Sequence, residues 1–351
     1  MFPATLIRSV GLLCMAGSMG LAFAQQPRSS DEPLAEEYSF DRGVAFLRAI
    51  DAEWAEKRKC VTCHTNGLAL VAQPELTEEM ELVRPGREFA AGYLTSYLEG
   101  EAKPSGQHGS LTGLVATTAF LALSDARTGQ GIQPATRLGL DYAWSQLSGE
   151  GTWDDWLQCN WPPFEVDAEF APTLMLVALG ELRERVEADQ GSGLTKQDER
   201  AAARMARWLR KNPPSSMHSK AMRVWAARYW RRLARSAEVS RWRRELVAGQ
   251  GEDGGWSMSA LAGPEWRRNG GDSQAAHSEA YPTAFSIYVL MQTGADRESE
   301  MVQRALTWLE GKQRASGAWF TRSPRRDGRH FISHAATAFA LMALAEDRGD
   351  R

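Results

Sequence analysis

Cys60-Val61-Thr62-Cys63-His64 places two thiols three positions apart and an imidazole directly after the second. Thiols so spaced can each form a thioether to a porphyrin vinyl group, and the adjacent imidazole can then coordinate the iron from one side; C-x-x-C-H is the attachment signature of c-type haem. Exported cysteines more commonly pair with each other, so a Cys60–Cys63 disulfide is the alternative. The immediate His64 tips the expectation to one covalent haem c, with His64 as the proximal iron ligand. Four other histidines are candidates for the opposite axial position: His277, His330, His334 and His108, with Met217, Met222 and Met258 as thioether alternatives. His330 and His334 stand four residues apart, a spacing that shares a helix face and suits metal ligands. Cys159 is then a lone thiol, expected to be buried.

A second set of residues could move protons. Asp154, Asp155, Glu165, Asp167 and Glu169 are clustered, and a carboxyl in apolar surroundings becomes a useful acid when its neighbours raise its proton affinity. Asp167 and Glu169 are the candidate catalytic pair. The competing reading is that acidic groups at a helix N-terminus favour its dipole. Residues 223–244 are rich in arginine and tryptophan. They read as an outer helix pair with a solvated basic face, with haem propionates or an anionic membrane surface as further possibilities for peripheral contact. Arg322, Arg325, Arg326 and Arg329 form a basic loop beside His330.

The elements that must position these residues are helical. Gln250…Gly254-Gly255-Trp256 and Gln313…Gly317-Ala318-Trp319 both fit Q-x-x-x-G-x-W, and Gln146…Gly151-Thr152-Trp153 is a copy with one extra residue. The glycine lets the chain turn after a helix, the glutamine can cap orphan backbone groups, and the tryptophan can pack between hairpins. Asp167-Ala-Glu169-Phe-Ala-Pro172-Thr173 aligns without gaps on His277-Ser-Glu279-Ala-Tyr-Pro282-Thr283. Thr118-Ala119-Phe120, Thr283-Ala284-Phe285 and Thr337-Ala338-Phe339 are expected to open apolar, buried helices, alternating with helices charged on one face. Turns fall near 60, 103, 153, 212, 256 and 319. That predicts about six helical hairpins in one all-α domain over 38–347, closed into a ring, with the haem motif at 60–64 in the first turn.

The ends carry their own signals. Arg8, an apolar run over 10–23 and Ala22-Phe23-Ala24 read as a secretory signal peptide, 1–24, and the run is short for a spanning helix. A retained anchor is the alternative. Cys14 is expected to leave with the signal. Export predicts the periplasm, where c-type haem is attached. Residues 25–37 read as a flexible polar leader. A net charge of −3 gives no reason to expect nucleic acid.

The repeats resemble those of the terpenoid cyclase and prenyltransferase superfamily, in particular its squalene–hopene cyclase branch, over most of the chain. The resemblance implies an (α/α) toroid. It also maps the branch's D-x-D-D proton-donor motif onto Glu165-Val166-Asp167-Ala168, with Asp167 at the donor position. The outer aspartates are replaced here by Glu165 and Ala168, which counts against cyclisation driven by protonation. The chain looks like exported bacterial squalene-cyclase-like proteins that carry C-x-x-C-H near their N-terminus. Three functions follow as expectations. The first is a redox haem protein that exchanges electrons with a periplasmic partner or oxidises an apolar small molecule in the central cavity. The second is a haem-independent cyclase or lyase-like enzyme with Asp167 as acid. The third is a toroid that only binds.

Overall fold

The computed structural model describes residues 30–100, 110–153, 161–164, 166–186 and 193–345. Two kinds of helix alternate along it. α1 (Phe40–Arg58), α3 (Met80–Leu98), α5 (Pro134–Gln146), α7 (Lys196–Lys211), α9 (Ser236–Ala248) and α12 (Glu300–Glu310) are buried along part of their circumference only. In α7 the buried set is chiefly Ala201, Ala202, Met205, Ala206 and Leu209, one stripe of a charged helix. α2 (Asn66–Leu76), α4 (Ser110–Arg127), α6 (Phe170–Arg185), α8 (Met217–Tyr229), α11 (Ala280–Gln292) and α13 (Ile332–Ala345) are buried nearly all round, and all but α8 are also mostly apolar. Such helices need neighbours on every side. They find them by packing in the order α2, α4, α6, α8, α11, α13, with α13 returning to α2. The first set flanks this ring, and the short α10 (Met258–Leu261) lies between α9 and α11. The fold is the expected six-hairpin (α/α) toroid, and among the described residues only isolated β-bridges interrupt it.

The Q-x-x-x-G-x-W turns are the stitches between hairpins. The indole Nε1–H of Trp153, Trp256 and Trp319 donates to the carbonyl of Ala143, Leu246 and Leu309, at 3.0, 2.8 and 2.7 Å, and so ties each turn to the helix before it. The backbone N–H of Trp256 and Trp319 donates to Thr283 and Thr337 of the following inner helix. Gln250 Nε2 donates to Gly254 O and to Met301 O in α12, both at 2.9 Å. Gln313 does the same for Gly317 O and for Ser39, the N-cap of α1, whose backbone it both receives from and donates to at 2.8 Å. The last repeat thereby closes on the first helix. In the looser copy Gln146 bonds Ser145 instead, because the extra residue carries it out of reach.

Three sequence expectations change on this scaffold. α8, within the arginine-rich stretch, is an inner helix and not part of a solvated outer pair, because Arg223 is buried on the Glu169 carboxylate. Thr118 lies mid-way along α4, bonded to Leu114 O, rather than at its start. The described end of the polar leader runs along the last repeat, with a Leu34–Arg314 bridge and Ser316 N–H on the Glu32 carboxylate at 2.8 Å. Residues 1–29, with the expected signal peptide, lie outside the described residues. Among those described, no helix is long and apolar enough to cross a membrane.

Candidate functional site

The inner helices α2, α6, α8, α11 and α13 begin at one end of the ring. Contacts among their first turns and the segments that lead into them show this: His64 stacks on Trp161, Phe164 meets His218, His218 meets Tyr281, and Arg322 donates to Glu279. The converging N-termini leave unpaired N–H groups and positive dipole ends there. Sequence-predicted residues from distant parts of the chain therefore share one mouth. At the other end Arg127 joins Glu181, Tyr288 and Val71 O, and forms a floor.

The C-x-x-C-H motif occupies the α1–α2 connection, and Asn66 holds its shape. Its side chain donates to Cys60 O and accepts from Thr62 N–H, both at 3.0 Å. Cys60 and Cys63 are buried thiols. The His64 ring lies in an aromatic box of Trp161 (stacked, 6.0 Å), Phe331 (5.9 Å) and Trp54 (6.4 Å). Burial pushes its proton affinity down to about 4, so the imidazole is neutral and its lone pair is available. His334, in the first turn of α13, edges against Trp54 and Phe331 from its own side, at 6.2 and 6.3 Å. Burial and then the neighbouring His64 hold it down to about 3. Arg58 lies over the Trp54 face at 5.4 Å.

The other candidates are distributed around the same mouth. His277 is exposed. His330 precedes α13, outside the helix, so the four-residue spacing does not place it on the helix with His334, and its Nδ1 accepts the N–H of Ser323 at 3.0 Å. Asp167 Oδ1 accepts from Glu169 N–H and Phe170 N–H at the start of α6, and Oδ2 from the hydroxyls of Ser215 and Ser219. Burial, then the Glu169 charge, raise its proton affinity to about 6. Glu169 accepts Ser215 N–H and a buried Arg223. His108, Asp154, Asp155, Cys159 and Glu165 lie outside the described residues.

Two groups escaped the sequence reading. His218 Nε2 pairs with Tyr281 OH at 2.9 Å inside the ring, 4.5 Å from the Phe285 centroid. Its position just inside an inner-helix N-cap was the available signal. Glu279 was visible as the repeat partner of Glu169. It accepts Arg322 N–H at 2.9 Å, while its Oε2 has no hydrogen-bond partner, since α13 carries no arginine to match Arg223. It lines a cavity of about 570 Å³ with His277, Trp308, Phe320, Arg322 and His330.

Burial, opposed by Arg322 N–H and by the charges of Arg268 and Arg322, raises Glu279 to about 7. Unfolded, the group ionises near its ordinary 4.5. The folded chain thus holds the proton more tightly, and its stability falls as pH rises from 4.5 through 7. The loss amounts to roughly 3 kcal/mol. Relative to Glu279→Gln, wild-type unfolding free energy is expected to decline by that amount between pH 4.5 and 8 in urea titrations. A pH-independent difference between the two proteins contradicts the assignment.

No family model and no curated protein matches the chain. Among solved structures it is similar to a protein from Actinoplanes, with a TM-score of 0.51 at 14% identity, covering 87% of this chain and 97% of that one. It is also similar to a polysaccharide lyase, with a TM-score of 0.47 at 12% identity, covering 89% and 99%. The likeness is one of fold.

Whether the first-turn residues suit a haem can be judged from their unmet hydrogen bonds. Trp54 Nε1, Trp161 Nε1 and His334 Nδ1 are buried and have no hydrogen-bond partner. Each belongs to a ring touching His64 or Trp54. Buried orphans of this kind cost about 1–3 kcal/mol each. A flat group bearing carboxylates and a central metal would answer all three: the indoles could donate to the carboxylates, and the imidazole has a free nitrogen to offer the metal. Among the described residues no group of three or more His, Cys, Asp or Glu side chains is placed to hold a metal ion. A porphyrin brings four nitrogens of its own, so two imidazoles suffice for it. The residues present fit a haem.

Proposed function

We propose that this chain is an exported c-type haem protein of the periplasm with a redox role. Cys60 and Cys63 would carry the porphyrin and His64 would hold the iron from one side. The observation that carries this reading is the concentration of orphaned buried nitrogens, Trp54 Nε1, Trp161 Nε1 and His334 Nδ1, around the C-x-x-C-H loop. Bound haem supplies a reversible one-electron couple. The chain's own residues do the rest. Asn66 fixes the loop, Trp54 and Phe331 exclude water from the His64 ring, and Arg58 with the two indole N–H groups offers partners for propionates. The electron partner would be a periplasmic donor or acceptor. Relationship to the squalene–hopene cyclase branch is supported by the Q-x-x-x-G-x-W turns, each used in the same way.

A second reading, acid catalysis at Asp167 without haem, is favoured by the raised proton affinity of that carboxyl. Against it, both oxygens already accept hydrogen bonds. A third, a toroid that only binds, draws on the Glu279 cavity. One spectrum separates them from the first. Protein exported from a host with haem-attachment machinery is expected to give a pyridine haemochrome band at the c-type position, and a Cys60→Ala/Cys63→Ala variant is expected to lose it. A folded, colourless wild type overturns the redox reading and leaves Asp167 or the cavity.

A further inference from the structure

We infer that His334 is the second axial ligand, so that the iron sits between two imidazoles and keeps no position for oxygen, peroxide or substrate. The inference rests on the haem reading above and decides between its two branches, in favour of electron transfer.

Ring order narrows the choice first. α2, which follows the attachment loop, borders α13 on one side and α4 on the other, while α8, α10 and α11 lie further round. That places His218, Met217, Met222 and Met258 on the wrong side of the toroid, and His218 is in addition committed to Tyr281. On the α13 side, His330 has its Nδ1 committed to the N–H of Ser323, and its ring packs on Phe320 in the Glu279 cavity. His277 is exposed.

His334 has the opposite character in each respect. It is 1% exposed, and its Nδ1 has no partner among hydrogen-bond donors or acceptors. The same two rings, Trp54 and Phe331, touch both His64 and His334. Phe46 touches His334 as well. Among the described residues no hydrogen bond to either ring nitrogen of His334 is made in that box, and its neighbours there are aromatic rings. An aromatic surround with one imidazole from the α1–α2 connection and one from the adjacent α13 suits an iron that changes charge without changing ligands, because little reorganises around it. Axial-ligand identity and exclusion of solvent are the protein's principal controls on such a centre.

The test uses the matured, haem-loaded full chain and reads spin state rather than activity. Wild-type protein is expected to be low-spin in both ferric and ferrous forms and to take up no carbon monoxide on mixing. His334→Ala is expected to become high-spin and to bind carbon monoxide at once, and added imidazole should return it to low-spin. His108→Ala, a control that removes another histidine, should leave the wild-type spectrum unchanged. Haem-loaded wild type that is high-spin, or His334→Ala that stays low-spin, overturns the assignment. A high-spin wild type overturns the assignment even if His334→Ala does not fold, and His334→Met, which is expected to stay low-spin with altered Soret and near-infrared bands, tests the position where the alanine variant fails. Wild type with no haemochrome at all is a separate result, and it overturns the haem reading beneath.

Discussion

An Arg127→Met variant is expected to unfold about 3–5 kcal/mol more easily than wild type, measured by urea denaturation followed by circular dichroism. Arg127 ends α4 with its side chain 0% exposed, and Glu181 of α6 is equally buried. The pair is bidentate, Nε and one terminal nitrogen each 2.9 Å from a carboxylate oxygen. The remaining donors reach Tyr288 OH on α11 at 2.8 Å, Val71 O on α2 at 3.1 Å and Met342 Sδ on α13. One guanidinium therefore links five of the six inner helices. Burial alone would push Glu181 up, but Arg127, helped by Arg185 and Arg228, outweighs it and holds the carboxylate below its usual range. Removing the cation leaves a buried charge with Arg185 at 3.4 Å as its remaining ion-pair partner and the charge of Arg228 as weaker support. The double variant Arg127→Met/Glu181→Leu is expected to recover most of the loss, since an apolar pair needs no desolvation. If the single variant is as stable as wild type, the floor does not hold the ring together.

The two ends of the toroid divide labour because of helix polarity. Carbonyl ends converge at the floor, where a buried arginine is stabilised by them; N–H ends converge at the mouth, where carboxylates are. Asp167, Glu169 and Glu279 accordingly sit at the mouth. A cofactor with anionic edges belongs at the same end for the same reason. The C-x-x-C-H loop is delivered there simply because it connects an outer helix to an inner one.

How much of this was legible in the sequence depended on whether the determining contacts are local. The Q-x-x-x-G-x-W turns announced themselves because the bonds that shape each turn are set by short spacing, such as the ten residues from Trp319 back to Leu309, whereas the glutamine bonds to Met301 and Ser39 that join neighbouring hairpins were not legible. The inner helices other than α8 were legible from all-round apolar character. Arg223 misled because its partner, Glu169, is 54 residues away, and an arginine-rich helix reads as solvated until a buried carboxylate is known. The meeting of His64 with the Trp54–Phe331–His334 group depends on ring closure between the first and last inner helices. No local pattern encodes that proximity. Glu279 stood in plain view in the repeat alignment, but its unpaired oxygen follows from an arginine that α13 lacks.

Ring closure itself gives the second large effect: Gly317→Val is expected to cost about 2–5 kcal/mol. Gly317 has φ +95, and its counterparts Gly151 and Gly254 have +104 and +92. A β-branched residue is strained there. Space adds a second obstacle. A Cβ on Gly254 would lie 2.7 Å from Arg304 O, one on Gly151 2.5 Å from Arg204 O, and one on Gly317 would strike Arg42 O in α1. In each case the obstacle is the backbone of the next outer helix, which cannot rotate aside as a side chain can. At Gly317 that next helix is the first of the chain, so the clash pushes apart the seam held by Gln313 and Ser39. The same seam places α1, and with it Trp54, beside α13. Gly317→Val should therefore raise the hydrogen-exchange rate of the first turn of α1 and of α13 more than that of α6, on the far side of the ring. Equal acceleration everywhere would show that the substitution acts on global stability alone, and unchanged stability would show that the turn does not need its glycine.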